Sequence, residues 1–192
     1  AGDRGRARAH RAGMKLCMFS PREPLLERGW PGRVEDDRVI QLAAQTLQAF
    51  FTGGGQAREH AEYRLDEIAF RAPVLHPPSV RIFDGDEFYF SNPAAVVAAG
   101  EDVQSPAGAG RMVPVRRQAA VIGADGAIGG FTPLVEWTAP ALPGVKARDF
   151  ALALGPFLVT PDEETPEGVD WERLIAHAAA NTRLYPGDLI AA

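Results

Sequence analysis

Proline and glycine interrupt this chain so often that its second half has little room for long helices. There are 16 Pro and 20 Gly in 192 residues. Proline lacks the amide hydrogen that a helix interior or a central strand ladder needs, and glycine supplies the turn conformations that other residues avoid. The apolar runs left between them predict strands at residues 74–75, 88–90, 113–122, 131–137 and 157–160. Ala124-Asp125-Gly126 reads as a tight turn between two of these. One helix stands out over residues 170–182, with Trp171, Leu174, Ile175 and Ala178 on one face. The expectation is a mixed β domain over 71–192 carrying a single helix.

Ahead of it, residues 14–70 read as a small α/β segment. A weak alternation at 15–20 predicts a strand. Val39, Ile40, Leu42, Ala43, Leu47, Phe50 and Phe51 recur at three- and four-residue spacing, which predicts one helix with Asp36 or Asp37 at its start. Thr52-Gly53-Gly54-Gly55 ends that helix. The glycine run follows a helix and carries no Lys-Ser/Thr, so it is read as a cap and not as a phosphate loop. Residues 58–68 predict a second short helix with Leu65 and Ile68 inward. Residues 1–13 hold Arg4, Arg6, Arg8, His10 and Arg11 and read as a basic, solvated N-terminal extension.

The net charge of −5 and a pI near 5.4 argue against a nucleic-acid partner. The single cysteine, Cys17, excludes an internal disulfide and a multi-cysteine metal site, and reads as a small buried apolar residue. No apolar run approaches the roughly 20 residues that span a bilayer, and no signal peptide is visible. The expectation is a cytoplasmic protein without a membrane partner.

Several phrases carry a resemblance. Residues 72–83 read Ala-Pro-Val-Leu-His-Pro-Pro-Ser-Val-Arg-Ile-Phe, and 88–97 read Phe-Tyr-Phe-Ser-Asn-Pro-Ala-Ala-Val-Val. Residues 118–123 are Gln-Ala-Ala-Val-Ile-Gly, and Glu136-Trp137-Thr138-Ala139 follows. Lys146-Ala147-Arg148-Asp149-Phe150 leads to Gly155-Pro156, and Pro186-Gly187-Asp188 stands near the end. In this order they resemble the fumarylacetoacetate hydrolase family. The resemblance implies an α+β fold: a small N-terminal α/β segment, then a mixed β-roll of the family's catalytic-domain type, here truncated. It also implies Met14 as a natural beginning, a homodimer, and a small oxo or β-dicarbonyl substrate.

The family's metal does not carry over. Its carboxylate ligands match Ile82, Val115, Arg117 and Glu136, so one ligand of four remains, which is too few for a hard divalent ion. No metal and no other cofactor is therefore expected. The family's histidine has no counterpart after Phe83, the loop between Ala139 and Lys146 is short, and a final hairpin is lacking. Of two family lysines, Lys146 is kept and the other is Arg148.

Arg117 and Glu136 are expected on neighbouring strands, facing the old metal position. They read in two ways. One is an ion pair plugging the site, each charge being costly to bury alone. The other is a catalytic pair, with Arg117 anchoring an enolate or carboxylate and Glu136 moving protons. Arg148, Lys146, Trp137 and Tyr89 are the candidate substrate-binding residues. Asp84, Asp86 and Glu87 read as a surface turn. Three functions follow: a metal-independent cyclase, isomerase or lyase suited to secondary metabolism; a non-catalytic binding or partner protein; or a conventional metal-dependent hydrolase or decarboxylase.

Overall fold

Backbone hydrogen bonding organises the chain around one long, curled sheet. The computed structural model describes residues 13–192, so the basic extension, apart from Gly13, lies outside the described residues. The N-terminal strands are β1 (Lys15–Pro21), β2 (Trp30–Glu35), β3 (Arg38–Leu42), β4 (Glu59–Arg64) and β5 (Ile68–Arg71), with helix α1 (Leu47–Thr52) between β3 and β4. Then come β6 (Val80–Asp84), β7 (Glu87–Ser91), β8 (Val96–Ala98), β9 (Val113–Ile122), β10 (Ile128–Thr138), β11 (Leu152–Leu154) and β12 (Phe157–Val159). Helix α2 (Trp171–Ala179) and β13 (Leu189–Ala191) complete the order. The strands run β4-β3-β2-β1-β12-β10-β9-β13-β6-β7 across the sheet, with β5 on β1 and β11 joining β10 to β8. Among the described residues only β11–β8 and β13–β6 are parallel.

The two expected segments share this sheet. β1 pairs β12 from Lys15↔Val159 to Cys17↔Phe157, then turns its other end to β5. Leu16, Met18, Leu47 and Phe50 bury into one cluster with Val80, Ile82, Leu134 and Leu158.

Two expected helices are corrected. The residues from Val39 to Leu42 form β3, because Asp36 adopts a positive φ of 46° and turns β2 back on itself at Glu35↔Arg38. Only residues 47–52 are helical, capped by Thr46, whose hydroxyl accepts from the Ala49 amide. Residues 59–64 are β4, an exposed edge strand held to β3 by its ladder and by Arg38–Glu62 at 2.9 Å. The strand expected at Val74–Leu75 is irregular.

The β9–β10 hairpin is the spine of the second half. Asp125 at φ 55° and Gly126 at φ 75° turn it. Along β9 the outer end alternates in exposure, while Ala119 to Ile122 is buried on both faces. Ala119 and Val121 join the main cluster, and Ala120 and Ile122 meet α2. That helix is capped by Asp170 and buries Trp171, Leu174 and Ala178, with the Trp171 and Phe131 rings 5.0 Å apart. No helix among the described residues is long and apolar enough to cross a membrane.

Candidate functional site

Strand alternation decides which side chains can meet. On β9, Val115 and Arg117 share the face of Ala119 and Val121; on β10, Glu136 shares the face of Leu134. The register sets Val115 opposite Glu136 and Leu134 opposite Arg117. Arg117 Nη2 therefore reaches Glu136 Oε2, at 3.4 Å. Its Nη1 donates to the Phe83 carbonyl at 3.1 Å. Between β9 and β6 lies β13, with Ala191 opposite both Ala119 and Ile82 and Ala192 exchanging backbone hydrogen bonds with Gln118. Beside it the Arg117 guanidinium links β9 to the Phe83 carbonyl on β6.

Tyr89 comes from the far edge. Its strand is separated from β10 by β9, β13 and β6. In a flat sheet that is about 19 Å. Yet the Tyr89 hydroxyl lies 2.8 Å from both Glu136 oxygens, so the sheet curls until its edge faces its middle. A phenol has one proton, so the two carboxylate oxygens share it. Burial is the first cause raising the Tyr89 pKa, and the hydrogen bond to Glu136 and that carboxylate's charge add to it. Tyr89 thus stays protonated at neutral pH. Glu136 is 1% exposed, and both its oxygens are engaged.

Beside Tyr89 an open cleft of about 450 Å³ runs between β7 and the turn at residues 144–149. Phe90, Asn92, Val145, Arg148 and Asp149 line it with Tyr89. The Arg148 guanidinium lies 4.7 Å from the Tyr89 ring centre. Asn92 holds the turn by donating to the Asp149 carbonyl at 2.9 Å.

Four of the six expected residues thus meet: Arg117, Glu136, Tyr89 and Arg148. Two do not. Trp137 follows Glu136 along β10, so alternation turns its indole to the opposite face. The Lys146 side chain is exposed and pairs with Asp149 at 2.7 Å, outside the cleft lining. Asn92, Phe90, Val145 and Asp149 were not foreseen. Asn-Pro at 92–93 was the available signal, because Asn92 also caps the turn through the Ala94 amide. Asp84 and Glu87 close the β6–β7 hairpin, and Asp86 pairs with Arg173 at 2.9 Å on the surface.

No protein-family model matches the chain, and no curated protein does. Solved structures do. Maleylpyruvate hydrolase from Sphingobium sp. SYK-6, in complex with manganese (II) ion and pyruvate, is similar with a TM-score of 0.76 and 19% identity over 93% of this chain and 87% of that one. The 5-carboxymethyl-2-hydroxymuconate delta-isomerase from Mycobacterium smegmatis gives 0.75 and 18% over the same shares. A 2-keto-3-deoxy-D-arabinonate dehydratase complexed with magnesium and 2,5-dioxopentanoate gives 0.70 and 16%, over 93% and 86%. At these identities the likeness establishes the fold: α+β, with a mixed β-roll of the fumarylacetoacetate hydrolase catalytic-domain type. The donor set here does not fit the divalent ion that two of these structures hold. Ile82 and Val115 offer no ligand atom, Arg117 is a cation, and Glu136 already serves Tyr89 and Arg117. Among the described residues no group of three or more His, Cys, Asp or Glu could hold a metal ion.

Proposed function

We propose that this chain is a metal-independent enzyme acting on a small oxo or β-dicarbonyl compound, of the isomerase, lyase or cyclase class. The observation that carries the reading is the Tyr89–Glu136 hydrogen bond, 2.8 Å long, with its phenol at the edge of a cleft and its carboxylate buried. A phenol that keeps its proton is suited to donate to a carbonyl oxygen as enolate charge develops. When the phenol turns its O–H to that oxygen it keeps its proton, Glu136 retains the Arg117 hydrogen bond, and the proton leaving the carbon passes to water in the open cleft. Arg117 supplies the positive charge that makes a buried carboxylate tolerable. Arg148 stands where a substrate carboxylate or enolate would be held.

A second reading has its own support. Glu136 is 1% exposed, and Tyr89 and Arg117 engage both its oxygens. A non-catalytic binding protein that retains the fold and fills the old site with an ion pair would show the same arrangement.

Solvent-deuterium incorporation separates the two. Enolisable 2-oxo acids and acetylacetone are incubated with the protein in heavy water and followed by proton NMR. The enzyme reading expects faster exchange next to the carbonyl for at least one compound. Tyr89→Phe should lower that rate by about 10²- to 10⁴-fold, with folding checked by a thermal melt. Exchange no faster than in buffer for the whole panel sinks the enzyme reading and leaves the binding one.

A further inference from the structure

The charges around the cleft are unevenly used. Arg148 is the only cation among the lining residues, and among the described residues it has no carboxylate partner. The lining acid, Asp149, takes the Lys146 ammonium at 2.7 Å, and that lysine stands outside the lining. Arg117 is likewise committed, to Glu136 and to the Phe83 carbonyl. The cleft therefore offers one free positive charge. Apolar surface stands beside it: Val145, 74% exposed, lines the cleft, whereas alternation along β7 turns the Phe90 ring to the face opposite Tyr89, against Phe88 and the Arg81 guanidinium. Ser91 also lines the cleft, and its Oγ is buried with no hydrogen-bond partner.

We infer that the cleft takes a monoanionic oxo or enolic acid with an apolar tail, and discriminates against dicarboxylates. The inference rests on reading the cleft as the substrate site. Arg148 holds the single carboxylate by a charge-assisted fork of hydrogen bonds, stacked on the Tyr89 ring. Val145 and the edge of the Tyr89 ring cover the tail and remove it from water. A second carboxylate at the far end would meet Val145 or Asp149, with no cation among the lining residues to pair it. Loss of hydration without a partner is what makes such a ligand bind poorly.

The test is a binding series by titration calorimetry on the full chain: 2-oxo-4-phenylbutanoate, pyruvate, 2-oxoglutarate and the neutral ketone 4-phenylbutan-2-one. The phenyl acid should bind about tenfold or more tightly than pyruvate or 2-oxoglutarate. Arg148→Met should weaken the phenyl acid by a similar factor and leave the neutral ketone unchanged. Arg148 is exposed, so the variant should melt with the parent. Equal or tighter binding of 2-oxoglutarate, no binding of the phenyl acid at millimolar concentration, or indifference of its affinity to Arg148→Met overturns the inference. Turnover is not needed for this readout. Selective binding without deuterium exchange would sink the catalytic reading and keep this one, and exchange on 2-oxoglutarate without preference for the phenyl acid would do the reverse.

Discussion

Tyr89 holds its proton more firmly than a free tyrosine, first because it is part-buried and then because Glu136 accepts its hydrogen bond and repels its anion. The consequence for stability has a definite sign. Folding favours the protonated phenol, so its contribution is whole below the unfolded value near 10. It is lost as pH climbs from there through the raised folded value. Thermal melts between pH 8 and 11.5 should fall more steeply above pH 10 for the parent than for Tyr89→Phe; parallel curves would contradict the assignment. At this scale the sequence was informative where strand register alone mattered. Arg117 and Glu136 lie near the same part of the hairpin and on the same face, and their pairing follows from spacing. Tyr89 was legible only as a candidate, since its approach depends on how far the sheet curls. Lys146 lies apart from the cluster because the acid that takes it is three residues on, and Trp137 because adjacency along a strand means opposite faces.

Elements were legible where burial is two-sided or periodic and illegible where pairing alone makes them. The β9–β10 hairpin and α2 carry apolar runs that few other structures accommodate. β3 and α1 were merged into one helix because Leu42, Leu47, Phe50 and Phe51 enter the same cluster from two elements. β4 has no apolar alternation to read: Glu59, Glu62 and their arginine partners lie outside the core, and the strand exists because β3 offers a ladder. A prediction belongs here. The β9–β10 register shifts between Ile128 and Gly130, and a methyl on Gly130 would collide with the Leu158 side chain and approach the Val159 carbonyl at 2.8 Å. Gly130→Ala should cost about 1–3 kcal/mol, read as a lower denaturant midpoint at an unchanged slope. A midpoint equal to the parent's would mean that β12 yields without strain.

Over the whole molecule, the contact between the N-terminal strands and the rest is made by a ladder and a shared core. β1 reaches β12, and Leu16 and Met18 bury among side chains from β6 and β10. Residues 14–70 and 71–192 should therefore melt together. In a Trp137→Phe, Trp171→Phe background, fluorescence from Trp30 and far-ultraviolet dichroism should report one coincident transition; two separated midpoints would show that the segments are independent. The sheet order places β7, which carries Tyr89, at one end, where among the described residues it is paired with β6 alone. Glu136 and Arg117 sit on interior strands with neighbours on both sides. An end strand opens by local fraying at far less free energy than global unfolding requires. The phenol is thus attached to an edge of the sheet, where amide hydrogens should exchange sooner than on the interior strands that carry the carboxylate. Excursions of β7 can uncover Glu136 to a visiting molecule while the pair beneath it stays in place.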